Sequence, residues 1–268
     1  MEYQHVNATK FVQPLREGLS KLATVEPRPI SQPYPGIVII GVGYQDRTFS
    51  IAVDYYDYPF INEHCLKNVS LYFKMQHLRS GYRDPKILPG GYVAGKQSLY
   101  DYYCRLRELR RRTSQLDVYG RFGMRFSPEI RRRAVAILES ESRFQFSGGT
   151  SVALYMQFLR EAARARVCID MPGNGPFCYR LVEYLGAGCC VVGPRHEAMM
   201  HAELRDRVHI VYCRPDLADL ADLCAYYVDN SAARGEIEAN AARFFDDYLY
   251  PTRLASYYLR ALSDRVDL

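Results

Sequence analysis

Several features that define other protein classes are missing from this 268-residue chain. No apolar run approaches the ~18 residues that a membrane-spanning helix needs. The first residues, which include Glu2, Gln4 and His5, lack the apolar segment of a secretory signal. The eight cysteines form no C-x-x-C pair, and several lie within apolar patterns. We therefore expect a cytoplasmic protein with no membrane span, in which the cysteines are reduced core residues.

Known nucleotide and metal motifs are missing as well. Each of two glycine pairs lacks the third glycine of a dinucleotide fingerprint: Gly41 with Gly43, and Gly173 with Gly175. The Gly-Lys-Ser/Thr of a Walker loop does not occur. His196 and His201 stand one residue too far apart to bind zinc from one helix face. The sequence thus predicts neither a bound cofactor nor a metal site.

Tryptophan is absent, whereas tyrosine is abundant at 23 residues. Exposed tyrosines can stack on sugars or bases, although most are expected to be half-buried in the core. The net charge of +5, from 35 basic and 30 acidic residues, is mild. It suits an anionic small molecule and does not demand a nucleic acid.

The length allows one large or two small domains, and changes of pattern along the chain favour two. Four segments are predicted: an N-terminal arm at 1–35, a small α/β domain at 36–99, a linker helix at 100–116, and a Rossmann-like domain with C-terminal helices at 117–268. The linker helix carries the basic sequence RLRELRRR, which is typical of a solvated surface. A nucleic-acid-binding arm is the alternative interpretation of this helix.

Regular alternation of strands and helices characterises the second domain. The pattern runs from a strand at Asp117–Gly120 to a last helix at Pro251–Leu262 and implies a parallel sheet with helices on both faces. The first domain is predicted from strands at Ile37–Val42, Phe49–Asp54, Ser70–Phe73 and Lys86–Leu88. The fold class is therefore α/β, and a ligand is expected at the carboxyl ends of parallel strands.

A strand, loop, helix and strand in the stretch from Val167 to Val192 indicate where an anion could bind. The loop contains three residues that let a backbone approach a ligand closely: Gly173, Asn174 and Gly175. The helix is predicted to begin near Pro176 and to end at Gly186. Its N-terminus favours phosphate, and Arg180 adds a permanent cation nearby. The same pattern also occurs in α/β folds that bind no ligand at this turn.

A second basic loop follows the strand Asp117–Gly120. It carries Arg121 and Arg125, and guanidinium groups are the usual partners of a diphosphate. Ser127 is predicted to cap the helix that follows. Two arginine-bearing loops at one edge of a sheet favour anion binding, while solvent exposure or a salt bridge to Glu129 is the alternative for these arginines.

Candidate catalytic carboxylates lie in the first domain. Asp54 and Asp57 follow a predicted strand, where a carboxylate could take a proton from an acceptor hydroxyl. His64 follows them closely, and Lys74 and Gln76 end the next strand, so these three are expected on the acceptor side. A turn built on Asp and Pro is the alternative interpretation of the two carboxylates.

Three stretches form an ordered series: GRFGMRFSPEIRR around Arg125, CYRLVEYLGAGCCVV around Arg180, and the tail from His201 to Leu262. The series resembles the protein O-glucosyltransferases and capsule-associated xylosyltransferases, and more loosely the GT-B-type glycosyltransferases. The resemblance covers residues 117–262, and the first domain only through DYYDYPF and LYFKMQ. It implies a GT-B-like fold of two Rossmann-like domains, with a short N-terminal domain.

The resemblance also implies roles for individual residues. Arg125 and Arg180 would hold the diphosphate of a nucleotide-sugar, and Asp54 or Asp57 would be the base. The donor pocket would also include Ser127, Gly148, Gly149 and Glu183, the last at a position where the family commonly has a basic residue.

The sequence and the resemblance together predict a metal-independent glycosyltransferase. It would move a sugar from a nucleoside-diphosphate sugar, with UDP as the expected nucleotide, to a hydroxyl acceptor, with the nucleotide-sugar as co-substrate and no other cofactor. The arginines and the helix N-terminus would stabilise charge on the leaving diphosphate. Two alternatives stay open: transfer to a modified nucleic-acid base, and a non-catalytic sugar-nucleotide-binding module.

Overall fold

The computed structural model describes residues 6–26, 34–92, 98–112 and 115–266. These residues form two compact units. The first unit takes the described residues of 1–97, 197–203 and 248–268, and the second takes those of 98–196 and 204–247.

The first unit is built on a four-stranded sheet in the order β1-β2-β3-β4. Its strands are β1 (Ile37–Tyr44), β2 (Arg47–Asp54), β3 (Leu71–Lys74) and β4 (Ile87–Pro89), and its helices are α1 (Val6–Ser20), α2 (Glu63–Lys67) and α9 (Pro251–Val266). The strands β2, β3 and β4 run parallel, whereas β1 is antiparallel to β2. Only two residues connect β1 to β2, and a parallel pair would need a long crossover. The first unit therefore departs from a fully parallel Rossmann-like sheet at this hairpin.

Helix α1 packs against α9 in the first unit. The two backbones approach closely at Gly18, where a Cβ atom would lie 2.4 Å from the carbonyl oxygen of Pro251. Leu15 and Leu19 are buried on the same helix. The contacts thus place α9 in the first unit, whereas the predicted division gave this helix to the second domain and left residues 1–35 as a separate arm.

The second unit is a five-stranded sheet surrounded by six helices. Its strands are β5 (Leu116–Arg121), β6 (Phe146–Gly149), β7 (Ala165–Ile169), β8 (Cys190–Pro194) and β9 (Val211–Cys213). Its helices are α3 (Ser98–Arg112), α4 (Pro128–Glu139), α5 (Tyr155–Arg164), α6 (Tyr179–Gly186), α7 (Leu220–Asp229) and α8 (Ser231–Phe244). One π-helical turn, Phe245–Leu249, follows α8 and spans the boundary between the two units.

All strand pairs of the second sheet are parallel, in the order β6-β5-β7-β8-β9. Apolar residues of the central strands, such as Val118, Val167 and Val192, form the core with helix residues such as Leu138 and Leu223. The parallel sheet confirms the predicted α/β fold class. The predicted bounds of α4 also agree with the structure.

Helix α6 begins at Tyr179, three residues after the predicted start at Pro176. The loop before it makes its own turn, because the Gly173 N–H donates to the Gly175 carbonyl (3.1 Å). The backbone bends at residues 174–177, and Cys178, which is extended, occupies the cap position. The predicted end at Gly186 is confirmed.

The basic helix α3 packs within the second unit, so its description as a solvated linker is wrong for two of its arginines. Arg110 is buried and donates to the carbonyls of Ala165 (2.5 Å) and Arg166 (3.0 Å) and to Glu238 (2.6 Å). Arg107 donates to the Gly186 carbonyl at 2.8 Å. Leu99, Tyr103 and Leu106 are buried on the same helix. This apolar face draws the helix onto the sheet domain, and the two arginines then satisfy carbonyls there.

The cysteines are free thiols, as the sequence predicts. Six of the eight are buried, Cys178 is half-buried and Cys104 is exposed. In the part of the chain that the structure describes, no helix combines the length and apolar character needed to cross a membrane.

Candidate functional site

The order of the second sheet creates a crevice at one place. Strand β5 has β6 on one side and β7 on the other. The connection that follows β5 therefore leads to β6 on one side of the sheet, and the connection that follows β7 leads to β8 on the other side. Open α/β sheets bind ligands at such a reversal, outside the carboxyl ends of the two strands. The residues after β5 and after β7 therefore define the candidate site of this unit.

Arg180 ties these two strand ends together. Its Nη1 donates to the carbonyl of Arg121 (2.8 Å) and its Nη2 to the carbonyl of Met171 (2.8 Å). Its Nε lies 3.3 Å from Oδ1 of Asp170, and its guanidinium lies over the ring of Phe122 at 5.0 Å. Burial acts to lower the pKa of Arg180, but the attractions of Asp170, Tyr184 and Cys178 together outweigh burial and the pKa is raised. Arg180, with its side chain 12% exposed, is thus a charged tie between two loops.

Arg131 makes a second tie between the same loops. Its Nε donates to the carbonyl of Pro172 (2.9 Å), its Nη1 donates to the carbonyl of Gly123, and its Nη2 lies 3.8 Å from Sγ of Cys178. The side chain is buried, and burial, followed by repulsion from Arg180, lowers the pKa of Arg131. We call Arg131 and Arg180 the arginine clamp, because each joins a carbonyl of 121–123 to a carbonyl of 171–172.

Ser127 strengthens this connection instead of capping α4. Its hydroxyl donates to the carbonyl of Gly173 (2.6 Å), and its backbone has φ +46°. The prediction that its side chain caps the helix is therefore wrong: in the left-handed conformation the hydroxyl points to the neighbouring loop. All three carbonyls of residues 171–173 accept a hydrogen bond from a side chain of the clamp or of Ser127.

Asp170 carries the negative charge that accompanies the clamp. It is buried, and its Oδ2 lies 3.1 Å from Nε2 of His196. The other ring nitrogen of His196 lies 3.5 Å from the Tyr212 hydroxyl. Strand β8 approaches so closely that a Cβ at Gly193 would lie 2.2 Å from the Asp170 carbonyl oxygen. Asp170 thus forms an ion pair with Arg180 behind the loop, and the buried His196 contacts the same carboxylate.

The two other predicted arginines differ in their surroundings. Arg121 forms a salt bridge with Glu161, with 2.8 Å between Arg121 Nε and Glu161 Oε2. Its Nη1 also donates to the Ser151 carbonyl at 3.1 Å. The hydrogen bond that Arg121 donates to Glu161 raises the pKa of Arg121. Arg125 is exposed, with its guanidinium 5.1 Å from the ring centre of Phe126. Arg125 is therefore the predicted donor-side arginine with a solvent-facing cation.

Several predicted donor residues lie at the same edge of the sheet. Gly148 pairs with Gly120 and Gly149 with Arg121 in the β5–β6 register. The loop of Gly173, Asn174 and Gly175 follows β7 and is joined to the β5 loop by the clamp and Ser127. Glu183 lies one turn further along α6 than Arg180 and accepts a hydrogen bond from the Tyr155 hydroxyl. The structure thus brings the predicted donor residues together, while their contact with a donor stays a prediction.

In the first unit, the parallel register places Asp54 beside Lys74. Lys74 Nζ lies 2.9 Å from Oδ2 of Asp54, which also accepts a hydrogen bond from the Tyr72 hydroxyl. The Tyr56 N–H donates to Oδ1 at 2.8 Å. Both members of the pair are buried; burial raises the pKa of Asp54 and lowers that of Lys74, while their mutual attraction opposes both shifts. Asp54 is therefore enclosed by its own partners.

The remaining acceptor-side candidates have different environments. Asp57 is half-buried and His64 is exposed, with the ring of Tyr34 at 5.7 Å from the His64 ring. Gln76 is fully buried and donates to the Tyr92 hydroxyl at 2.6 Å. Burial of Lys74 and Gln76 leaves neither side chain lining an open surface, so the expectation that they line an acceptor crevice is wrong.

Arg131 is the most important residue that the sequence analysis missed. It occurs in the run of three arginines in PEIRRR, but its position relative to Ala134, Val135 and Leu138 puts it on the buried face of α4. That periodicity is the signal that could have identified it. For metals, no group of three or more His, Cys, Asp or Glu residues suited to hold an ion occurs among the described residues.

Comparison with solved structures finds only weak similarities. A glycosyltransferase from Rickettsia africae shares 12% identity over 81% of this chain and 70% of that chain, with a TM-score of 0.48. S. aureus TarM shares 10% identity over 73% of this chain and 44% of its own, with a TM-score of 0.48. HepE of Anabaena, crystallised with UDP-glucose, shares 14% identity over 73% and 64%, with a TM-score of 0.47. This chain thus spans less than two thirds of TarM and HepE, and scores below 0.5 carry no functional argument.

Sequence comparison gives a firmer result. Among curated proteins, none matches the chain. The profile of the family described as "Glycosyl transferase-like" matches residues 105–258, which is more than half of the chain and includes the clamp, Asp170 and the loops after β5 and β7. This chain therefore belongs to the glycosyl transferase-like family.

Proposed function

We propose that the second unit binds a nucleoside-diphosphate sugar, UDP-linked, and that the protein transfers the sugar to a hydroxyl acceptor. The observation that carries the proposal is the arginine clamp, which fixes both loops at the reversal of a parallel sheet in a member of this family. Membership in the glycosyl transferase-like family supports a sugar donor.

Within this site we assign the direct phosphate contact to Arg125. Its side chain is exposed, whereas Arg131 is buried, Arg180 is only 12% exposed, and both donate to carbonyls. The helices α4 and α6 begin at the two clamped loops, so the positive ends of both helix dipoles face the same region. The clamp would position these groups without touching the donor.

The reaction we propose is metal-independent transfer. As the bond between sugar and diphosphate breaks, negative charge grows on the leaving diphosphate, and fixed cations and helix N-termini stabilise it. The preorganised loops would supply this stabilisation without reorganisation during the reaction. Gly148, Gly149 and the loop of Gly173, Asn174 and Gly175 would complete the donor pocket, whereas Glu183 is buried and accepts a hydrogen bond from Tyr155.

For an inverting reaction, we propose Asp57 as the base. Asp54 already accepts hydrogen bonds from Tyr56, Tyr72 and Lys74 and is buried, so an acceptor hydroxyl could reach it only after its pairing broke. Asp57 is half-buried in the segment that follows β2. A retaining reaction would need no such base.

Two finer features of the proposal rest on sequence. The resemblance to protein O-glucosyltransferases and capsule-associated xylosyltransferases favours a hexose or pentose donor and a glycan or protein acceptor. A cytoplasmic location is supported by the free cysteines, since secreted proteins commonly oxidise theirs. The nucleic-acid alternative loses support because Arg107 and Arg110 of the basic helix point into the unit.

Calorimetry with UDP, GDP, ADP and their sugars tests the donor site. We expect binding of the uridine compounds, and Arg125→Ala should weaken it by roughly 1.5–3 kcal/mol, the scale of a hydrogen bond to a charged group. Arg132→Ala, which removes an exposed arginine from α4, is the matched control and should leave affinity unchanged. Binding of no member of the panel would refute the proposal.

Turnover measurements separate catalysis from mere binding. Hydrolysis of UDP-sugar, or transfer to a mixture of cellular acceptors, is expected with the wild-type chain, and Asp57→Asn should reduce transfer at unchanged UDP affinity. Tight UDP binding without any turnover would identify the non-catalytic module instead.

A further inference from the structure

The segment after β2 displays three aromatic side chains to solvent. Tyr56, Tyr58 and Phe60 are 41%, 38% and 71% exposed. The rings of Tyr56 and Tyr58 lie 5.2 Å apart between centroids, and those of Tyr58 and Phe60 are stacked at 6.0 Å. We call these three residues the aromatic row. Adjacent large exposed rings are unusual on a protein surface that binds nothing.

The backbone beneath the row is held at its first residue by the buried ion pair. Asp54 accepts a hydrogen bond from the Tyr56 N–H (2.8 Å), and Lys74 donates to the Tyr56 carbonyl (3.1 Å). The Lys74 ammonium also lies 5.9 Å from the centre of the Tyr56 ring. Asp54, a predicted candidate base, and Lys74, predicted on the acceptor side, thus hold Tyr56 in place.

The segment is also held on both sides of Tyr56. The Tyr55 N–H donates to the Gly36 carbonyl at 2.9 Å, and the Tyr82 hydroxyl donates to the Pro59 carbonyl at 2.7 Å. A tethered backbone with exposed rings presents a contact surface at low entropic cost on binding.

Charge around the row restricts the ligand. Residues 55–64, YYDYPFINEH, contain Asp57 and Glu63 but neither lysine nor arginine. Lys74 is buried and paired with Asp54, so its charge is compensated. A nucleic acid or an anionic membrane would need exposed cations here. A neutral ligand with flat apolar faces and many hydroxyls fits better.

We propose that the aromatic row is a carbohydrate-binding platform on which the acceptor glycan stacks. Sugar rings present C–H faces that pack on aromatic rings, and the centroid spacings of the row are comparable to the length of one pyranose unit. Successive sugars of an oligosaccharide would therefore each meet one ring. The inference deepens the proposed function, on which it rests, because it names the acceptor class as an oligosaccharide.

A glycan array probed with the full chain, without donor, tests the platform. We expect retention on oligosaccharides, with at least tenfold weaker binding for Tyr58→Ala and Phe60→Ala. Tyr58→Phe, which keeps the ring, should retain binding. Tyr226→Ala is the matched control: Tyr226 is 49% exposed and has a ring neighbour, Tyr227, at 5.0 Å, but lies in the second unit.

The absence of tryptophan provides a direct reporter. Phe60→Trp introduces a single indole into the row, whose fluorescence should change when a retained oligosaccharide is titrated and should not change with UDP alone. UDP affinity should be the same in all row variants, so a failed platform is distinguishable from a failed donor site.

Three results would overturn the platform. The first is that a chain that binds UDP retains no glycan. The second is that the Tyr226→Ala control loses as much glycan binding as the row variants. The third is a role of Phe60 in another association: self-association in sedimentation, or binding to phosphatidylglycerol vesicles, that Phe60→Ala abolishes.

Discussion

The two units hold their largely buried cations with different acceptors. In the first, Lys74 faces one carboxylate, that of Asp54, across adjacent parallel strands. In the second, Arg131 and Arg180 donate mainly to backbone carbonyls of two loops. An ion pair fixes one strand end, whereas a guanidinium with several donors can fix two loops at once.

Charged residues at strand ends therefore need not touch a ligand. Asp54, and Arg180 at the start of α6, are satisfied internally, and each holds a neighbouring segment in place. The groups left facing solvent, Arg125 beside the clamp and the aromatic row beside the ion pair, are those we assign to ligand contact.

Arg180→Ala tests whether the clamp holds the two loops and should have the largest effect. The change leaves the Arg121 and Met171 carbonyls and the buried Asp170 without this donor, so we expect a loss of about 3–5 kcal/mol in the free energy of unfolding. Urea denaturation measures it. Arg180→Lys keeps the charge but cannot reach both carbonyls, and should recover only part. A loss below about 1 kcal/mol would show that the clamp does not hold the loops.

Lys74→Met tests the first unit in the same way. Removing the cation leaves Asp54 buried beside Tyr72, and we expect a loss of about 3 kcal/mol by the same denaturation assay. The double variant Asp54→Asn with Lys74→Met removes both charges and should recover most of that loss. Adding Asp170→Asn to Arg180→Ala should recover only part of the loss, because the Arg121 and Met171 carbonyls still lack this donor.

Gly193→Ala tests the close packing of strand β8 against the loop behind the clamp. A methyl group would meet the Asp170 carbonyl oxygen at 2.2 Å, and main-chain atoms cannot move aside cheaply, so we expect a loss of about 2–3 kcal/mol. Gly235→Ala is the matched control, since its Cβ would meet nothing within 4 Å in α8. It should stabilise the protein by about 0.5–1 kcal/mol. Equal melting temperatures for both variants would contradict the close approach.

The histidines of the two units also differ in their hydrogen-bond partners. His196 lies beside Asp170, whereas Nδ1 of His201 is buried with no hydrogen-bond partner among the described residues. Burial lowers the pKa of His201 from 6.5 to about 4. Between these values the unfolded chain binds a proton that the folded chain excludes. Stability present above about pH 6.5 is therefore lost as the pH falls towards 4, by roughly 3 kcal/mol.

The measurement is the pH dependence of the unfolding free energy in wild type and in His201→Phe. The phenyl ring can keep the stacking on Tyr257, 4.4 Å away, without titrating. We expect a flatter acid limb in the variant. Parallel profiles would mean that His201 is protonated equally in both states.

Much of the second unit could be predicted from sequence, because buried parallel strands and amphipathic helices leave strong patterns. Helix α4 and the end of α6 follow from them. The family resemblance is likewise carried by this half, which the family profile matches.

The roles of individual charges could not be predicted, since they depend on register and side-chain direction. Asp54 meets Lys74 only because β2 and β3 pair in one register, and a slip by one residue would separate them. Ser127 resembles a helix cap in sequence, but its positive φ turns the hydroxyl to Gly173. Arg131 was detectable from helical periodicity, though its carbonyl partners come from loops that leave no such pattern.

The packing of α1 on α9 has a consequence for the order of folding. Along the chain, the second unit lies between the segments that build the first, since residues 98–196 and 204–247 separate 1–97 from 248–268. At roughly 5–20 residues per second, a ribosome needs on the order of 10–30 s to add the ~150 residues between these parts. Throughout that time Leu15, Leu19 and the groove at Gly18 have no α9 to cover them. The second unit can thus fold before α9 is synthesised, and the first unit is completed only when α9 packs on α1.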